Sequence, residues 1–504
     1  MMKPTHIPQS RCRTPLLFLL MVFLLVITLP GCRQEPVQRP NILFAIADDW
    51  AWPHAGIYGD PVVQTPAFDR IAREGILFNH AYVTSPSCTP SRNGILTGQY
   101  HWRLGPGANL WSTLDESIPV YPLLLEDAGY AIGHYRKSWG PGDLSNWKRH
   151  PAGKNYDEGG FEAFLDEWSG EQPFCFWLGS WDPHRPYEPG TGAAAGIDPG
   201  RIELYECLPD HEVVRADVAD YYYEVQRFDT LVAVAIQLLE ERGLLENTLV
   251  VVTGDNGMPF PRCKANNYDT GVRMPLAIRW GNRIKKPGRV LDDFVSLTDL
   301  APTFLEAGGA EVPGAMTGKS LMPLFRSSAD GLADPASRSY VLHGKERHVP
   351  GQEENMGGYP VRAIRNHEFL YIRNFEPDRW PSGTPNYLKA AIPYCWLGDC
   401  DNGPTKTYMV EHREEDGMHQ KLYDLAFAKR PAEELYDCRN DPGQLINLAG
   451  RPEYEAIQKE MAGLLMEELQ RTGDPRVVGG AELFDQVPYL GQGPRHPSYR
   501  PGDE

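Results

Sequence analysis

Positive charge is scarce in this chain: 49 Lys and Arg stand against 67 Asp and Glu, a formal net charge of −18. That balance argues against a nucleic-acid partner and against binding to an anionic membrane surface. An anionic substrate would have to be met by a locally basic site. Cysteine is sparse too, nine in 504 residues, which argues against a disulfide scaffold. Cys395 and Cys400 are close enough for one local bridge. No Cys-x-x-Cys pair occurs, which argues against a structural zinc. Internal repeats and long low-complexity tracts are also missing. Gly318-Lys319-Ser320 lacks the upstream glycine and the strand of a phosphate-binding loop, so nucleotide binding is not expected.

The apolar run from Leu16 to Leu29 falls short of a membrane span and follows a basic stretch with Lys3, Arg11 and Arg13. It ends in Leu29-Pro30-Gly31-Cys32, which resembles a bacterial lipobox. Residues 1–32 are therefore expected to be a lipoprotein signal. Cleavage before Cys32 would leave a lipid anchor there, the only membrane contact expected. Arg33 is not the Asp that commonly retains such proteins at the inner membrane, so an exported, outer-membrane-anchored chain facing periplasm or surface is expected. A plain secretory signal is the alternative.

The length suggests two domains, or one large domain with an appendage. Asn41 to Ala47 and Thr248 to Thr253 are unbroken apolar runs, the pattern of strands buried on both faces. Each ends in oxygen ligands, Asp48-Asp49 and Asp255-Asn256. Open α/β sheets bind ligands at that edge. Adjacent carboxylates there repel each other unless a cation intervenes, and Ca²⁺ or Mg²⁺ prefers such oxygens. A solvated acidic turn would carry the same dipeptide. Thr65-Pro66 reads as the cap and first residue of a helix over 67–74. Further helices are expected over 118–129, 213–243 and 452–471, and short strands over 339–343, 363–365 and 368–373.

Ser87-Cys88-Thr89-Pro90-Ser91-Arg92 follows a strand-like run and opens a helix. A helix start favours an anion, and Arg92 lies one turn beyond Cys88, on the same side. A buried structural Cys would fit the same place. Cys-x-Pro-x-Arg, with Asp48-Asp49 and Asp255-Asn256, resembles the type I sulfatases. The resemblance implies an alkaline-phosphatase-like α/β fold: a mixed, mostly parallel sheet flanked by helices, over residues 40–335. A smaller antiparallel sheet with a packed helix would follow in 336–504. It implies that Cys88 is oxidised by a formylglycine-generating or equivalent maturation enzyme. It further implies a divalent ion, Ca²⁺ or alternatively Mg²⁺, on Asp48, Asp49, Cys88, Asp255 and Asn256. The implied catalytic set is Cys88, Arg92, Lys137, His184 and Lys264.

One position departs from the family pattern: Trp139 stands where a His follows the lysine, and His134 or a water is the candidate substitute. Asp182-Pro183-His184-Arg185 and Asp255-Asn256-Gly257-Met258-Pro259-Phe260-Pro261 are similar to the heparan N-sulfatases (sulfamidases). So are Asn266, Tyr268, Gly271 and Tyr359 to Arg365. The implied substrate is a sulfated oligo- or polysaccharide, with N-sulfoglucosamine as one candidate unit. Arg185 is a candidate for a carboxylate or second sulfate on the sugar. The alternatives are an O-sulfatase on another glycan, a phosphonate or phosphodiester hydrolase of the same superfamily, and an inactive glycan-binding lipoprotein.

Overall fold

Strand β1 (Asn41–Ala47) is buried along its whole length and sits in the middle of the molecule's main sheet. The computed structural model describes residues 1–2, 4–6, 39–353 and 355–501. Met1–Gln38 and Arg39–Glu504 are separate compact units. Most of the expected signal, Cys12 and Cys32 included, lies outside the described residues. Among the described residues, no helix is long and apolar enough to cross a membrane.

Both faces of β1 are apolar because both are covered. Ile42, Phe44 and Ile46 enter one hydrophobic core, and Leu43, Ala45 and Ala47 the other. On one side β1 pairs in parallel with β5 (Phe174–Gly179), on the other with β6 (Thr248–Gly254). β5 leads outward to β3 (Ala131–Tyr135) and β4 (Lys154–Asn155). Beyond β6 lie β7 (Arg273–Arg279), β2 (Ile76–Tyr82), β8 (Arg289–Leu291) and β9 (Val295–Ser296). Only β7 runs against its neighbours, so the sheet is mixed and mostly parallel.

Helix α1 (Pro66–Arg73) and the 30-residue α3 (Glu212–Glu241) cover one face. α2 (Cys88–Thr97) starts after β2. The expected cap at Thr65 is not made, because its hydroxyl is bonded to Asp69. Asp229 of α3 takes the role, accepting from the N–H groups of Ala67 (3.0 Å) and Phe68 (2.8 Å).

The second sheet is antiparallel: β10 (Tyr340–Lys345), β11 (Val361–Asn366), β12 (Phe369–Asn374) and β13 (Glu433–Asp437). α4 (Glu455–Arg471) packs its Met461, Leu465 and Leu469 on Ile364 and Tyr371 of that sheet. Cys395 and Cys400 are both free thiols, so the local bridge is not formed.

Candidate active site

β1 and β6 are neighbours in register, with Ala47 opposite Gly254, so their acidic tips emerge side by side. Asp48, Asp49, Asp255 and Asn256 are all buried. Asp49 holds a positive φ of 75°, uncommon outside glycine, while its N–H donates to Asp255 Oδ1 at 2.9 Å. Cys88 opens α2 beside them, its Sγ 3.5 Å from Asp48 Oδ1. Ligand atoms of Asp48, Asp49, Cys88 and Asp255 all lie within 4.8 Å of one another. Asn256 donates its amide to Asp49 Oδ1 at 2.5 Å, but its buried Oδ1 has no hydrogen-bond partner.

Cations from three further segments enter the cluster. Arg92 Nε donates to Asp255 Oδ2 at 2.7 Å, and its Nη2 lies 3.8 Å from Asp48. Lys137 Nζ is 2.5 Å from Asp48 Oδ2, and Lys264 Nζ is 2.8 Å from Asp49 Oδ2. His184 Nε2 lies 3.9 Å from Asp49 Oδ2. Its side chain is 33% exposed, so the imidazole stands at the mouth of an otherwise buried site. Every site residue expected from the sequence is therefore gathered at one sheet edge.

Burial acts on each of these groups and the neighbouring charges then decide. Asp48 is pushed up by burial but held well below the usual range by Lys137, His184, Arg92 and Lys264. Asp255 is raised to about 6 by burial, against Arg92 and with Asp48. Burial pushes the Cys88 thiol well up, despite Lys137 and Lys264. A thiol held protonated is a poor nucleophile.

The donors fit a hard divalent ion. They are oxygens, they crowd together, and the Asn256 oxygen lacks a partner. The expected outcome of adding Ca²⁺ or Mg²⁺ to chelator-treated protein is a higher melting temperature. An ion at about 100 times its dissociation constant adds about 2.7 kcal/mol. Asn256→Ala should shrink the rise, and differential scanning calorimetry checks both.

Some residues behave otherwise than expected. Arg185 is not open to a substrate anion: Nη1 and Nη2 bind Asp217 at 2.8 and 2.7 Å, and its plane lies over Tyr187 and Phe260. Its charge is already used to hold the loop in place. Trp139 donates its indole N–H to Asn93 Oδ1 at 2.7 Å, fastening the Lys137 loop to α2. His134 is directed away from the role suggested for it, bonded to the Gly153 carbonyl and stacked on His150.

Two side chains were missed. Asp401 shares a cluster with Asp49 and His184 and lies 3.2 Å from Lys264 Nζ. His348 is buried, with Nδ1 2.8 Å from the Ser87 hydroxyl. Asp401 lies in an irregular loop and His348 just past a strand, where no periodicity marks them.

A buried oxyanion pocket at the carboxyl edge of a mixed α/β sheet, with carboxylates for a metal and a ring of cations, defines a hydrolase of tetrahedral oxyanion esters. The family described as Sulfatase matches residues 40–310, and the chain belongs to that family. It is a sulfuric ester hydrolase with the alkaline-phosphatase-like fold.

Two curated relatives are 27% identical to it. The N-sulphoglucosamine sulphohydrolase of Homo sapiens aligns over 92% of this chain and 95% of its own length. An ulvan-active sulfatase of Formosa agariphila aligns over 87% and 81%. Among solved structures, one captured with its substrate D-glucosamine-2-N,6-O-disulfate superposes with a TM-score of 0.61 at 20% identity. It covers 87% of this chain and 99% of that one.

Proposed function

We propose that this protein releases sulfate from a sulfated glycan, with an N-sulfoglucosamine unit as its substrate, and that residue 88 works as formylglycine. The observation that carries the reading is the convergence of Cys88 with Asp48, Asp49, Asp255 and Asn256 under Arg92, Lys137 and Lys264. The human relative's name supports the N-sulfated substrate.

Oxidised and hydrated, residue 88 supplies a nucleophilic hydroxyl and a second hydroxyl whose deprotonation frees the bound sulfate. A divalent ion on Asp48, Asp49, Asp255 and Asn256 supplies positive charge to the sulfuryl oxygens. The chain's own residues do the rest. Arg92 holds Asp255 and Asp48 in place and adds charge at the floor. Lys137 and Lys264 take sulfuryl oxygens and stabilise the charge that builds as the S–O or S–N bond breaks. His184, at the mouth, gives its proton to the departing atom. In this reading residues 40–335 carry the chemistry and 336–504 close the pocket. The mature chain is exported and anchored through Cys32, after a maturation enzyme has acted on Cys88.

The test is incubation with N-sulfated and O-sulfated oligosaccharides of defined linkage, with a phosphonate and a phosphodiester alongside. Release from the N-sulfated sugar is expected. Release only from O-sulfated sugars moves the assignment to the second reading, which the ulvan-active relative favours. Turnover only of the phosphorus compounds overturns both. No turnover, with an unmodified thiol at residue 88, leaves a glycan-binding protein.

A further inference from the structure

The apolar wall beside Cys88 is built partly by the last segment of the chain. Cys88, Leu110, Val349 and Cys395 form one small cluster, and Trp111 and Tyr489 pack against it. Tyr489 belongs to an irregular segment, 487–496, that is laced to the surroundings of the nucleophile by its backbone. The Val487 carbonyl accepts from Arg347 Nη1 at 2.7 Å. The Leu490 N–H donates to the Trp111 carbonyl at 3.0 Å, and the Pro494 carbonyl accepts from the Trp396 N–H at 2.9 Å. Gly491 lies flat on the indole of Trp111, where an added Cβ would meet the ring at 2.4 Å.

These contacts explain how the segment is held but not the Tyr489 hydroxyl, which is buried and has no hydrogen-bond partner. A buried phenol O–H without a partner is costly, and in native proteins such groups usually answer to a ligand or water. This one lies on the nucleophile's own cluster. Asp399 and Asp401 are among the charges it feels, and Asp401 is already in contact with Lys264.

We infer that the C-terminal segment 487–496 is a wall of the substrate pocket and that the Tyr489 hydroxyl hydrogen-bonds the sulfated sugar. The inference rests on the sulfatase reading above and names a residue that selects the substrate. A sugar hydroxyl or sulfate oxygen is the matching acceptor, and the Tyr489 ring covers an apolar face of the pyranose.

Tyr489→Phe isolates the hydroxyl, because it keeps the ring and breaks no bond within the protein. The experiment measures calorimetric affinity for an N-sulfated glucosamine disaccharide on the Cys88→Ala chain, with and without Tyr489→Phe. It also measures KM and kcat on the otherwise unaltered enzyme. The expected result is a loss of affinity of about fivefold to tenfold, a matching rise carried mainly by KM, and melting temperatures that coincide. Gly491→Ala, which lifts the segment off Trp111, should weaken affinity in the same direction. Affinity and KM within twofold after Tyr489→Phe overturn the inference. The two ideas fail separately, since an unaltered enzyme that binds the disaccharide but releases no sulfate defeats the sulfatase reading while the affinity ratio still decides the role of Tyr489.

Discussion

Cys88→Ala should abolish sulfate release, with turnover falling by about four orders of magnitude or to assay background, while the protein stays folded. The two halves of that expectation have different origins. Cys88 occupies the one position where α2 presents its first turn to the Asp48, Asp49 and Asp255 carboxylates. No neighbouring hydroxyl stands within the same cluster of ligand atoms to replace it. Its side chain is small and rests among Leu110, Val349 and Cys395, so removing it leaves a cavity costing about 1 kcal/mol. Loss of activity with an almost unchanged melting curve is therefore the signature of a nucleophile. Peptide mass spectrometry of the unaltered protein supplies the companion measurement. The tryptic fragment holding residue 88 should be lighter than its thiol form by the exchange of SH for aldehyde oxygen. A fully active protein with an intact Cys88 thiol, or an active Cys88→Ala variant, would remove the proposed mechanism.

Much of this site was legible because its ligands terminate strands. β1 and β6 are buried on both faces, so their sequences are apolar without alternation and the polar tips stand out. Parallel pairing then brings the tips together without further information. Legibility ended where a residue's role depends on a partner remote in the chain. The Arg185 guanidinium reads as an anion receptor until Asp217 is seen to occupy it. The start of α1 reads as a Thr65 cap, yet Asp229, on another helix, does the capping. Asp401 and Tyr489 come from irregular loops, whose sequences carry no period that would announce a shared pocket. Trp139 is a subtler case. Its sequence position signals the loss of an imidazole, and its actual bond to Asn93 is a tertiary fact.

Arg92→Ala should be the most destabilising substitution at the site, at about 3–5 kcal/mol, because it strips the counter-charge from carboxylates that cannot reach water. Arg92 is fully buried, as are Asp255 and Asp48 within a percent. One guanidinium serves three acceptors: Asp255 Oδ2, Asp48 Oδ1 and the Lys137 carbonyl. Without it, Asp255 loses the neighbour that opposes its burial, and its carboxyl, raised to about 6, should move higher. Arg92→Lys should recover only part of the loss, since a single ammonium cannot reproduce the planar fork. The distinguishing feature lies in metal dependence. A divalent ion held by the same carboxylates supplies counter-charge of its own, so Ca²⁺ should raise the melting temperature of the Arg92→Ala protein more than that of the unaltered chain. Chelation should widen the gap between them. Calorimetry in saturating Ca²⁺ and in chelator reads both shifts, and an Arg92→Ala protein as stable as its parent under both conditions would mean that these carboxylates are neutralised by something other than the arginine and the ion.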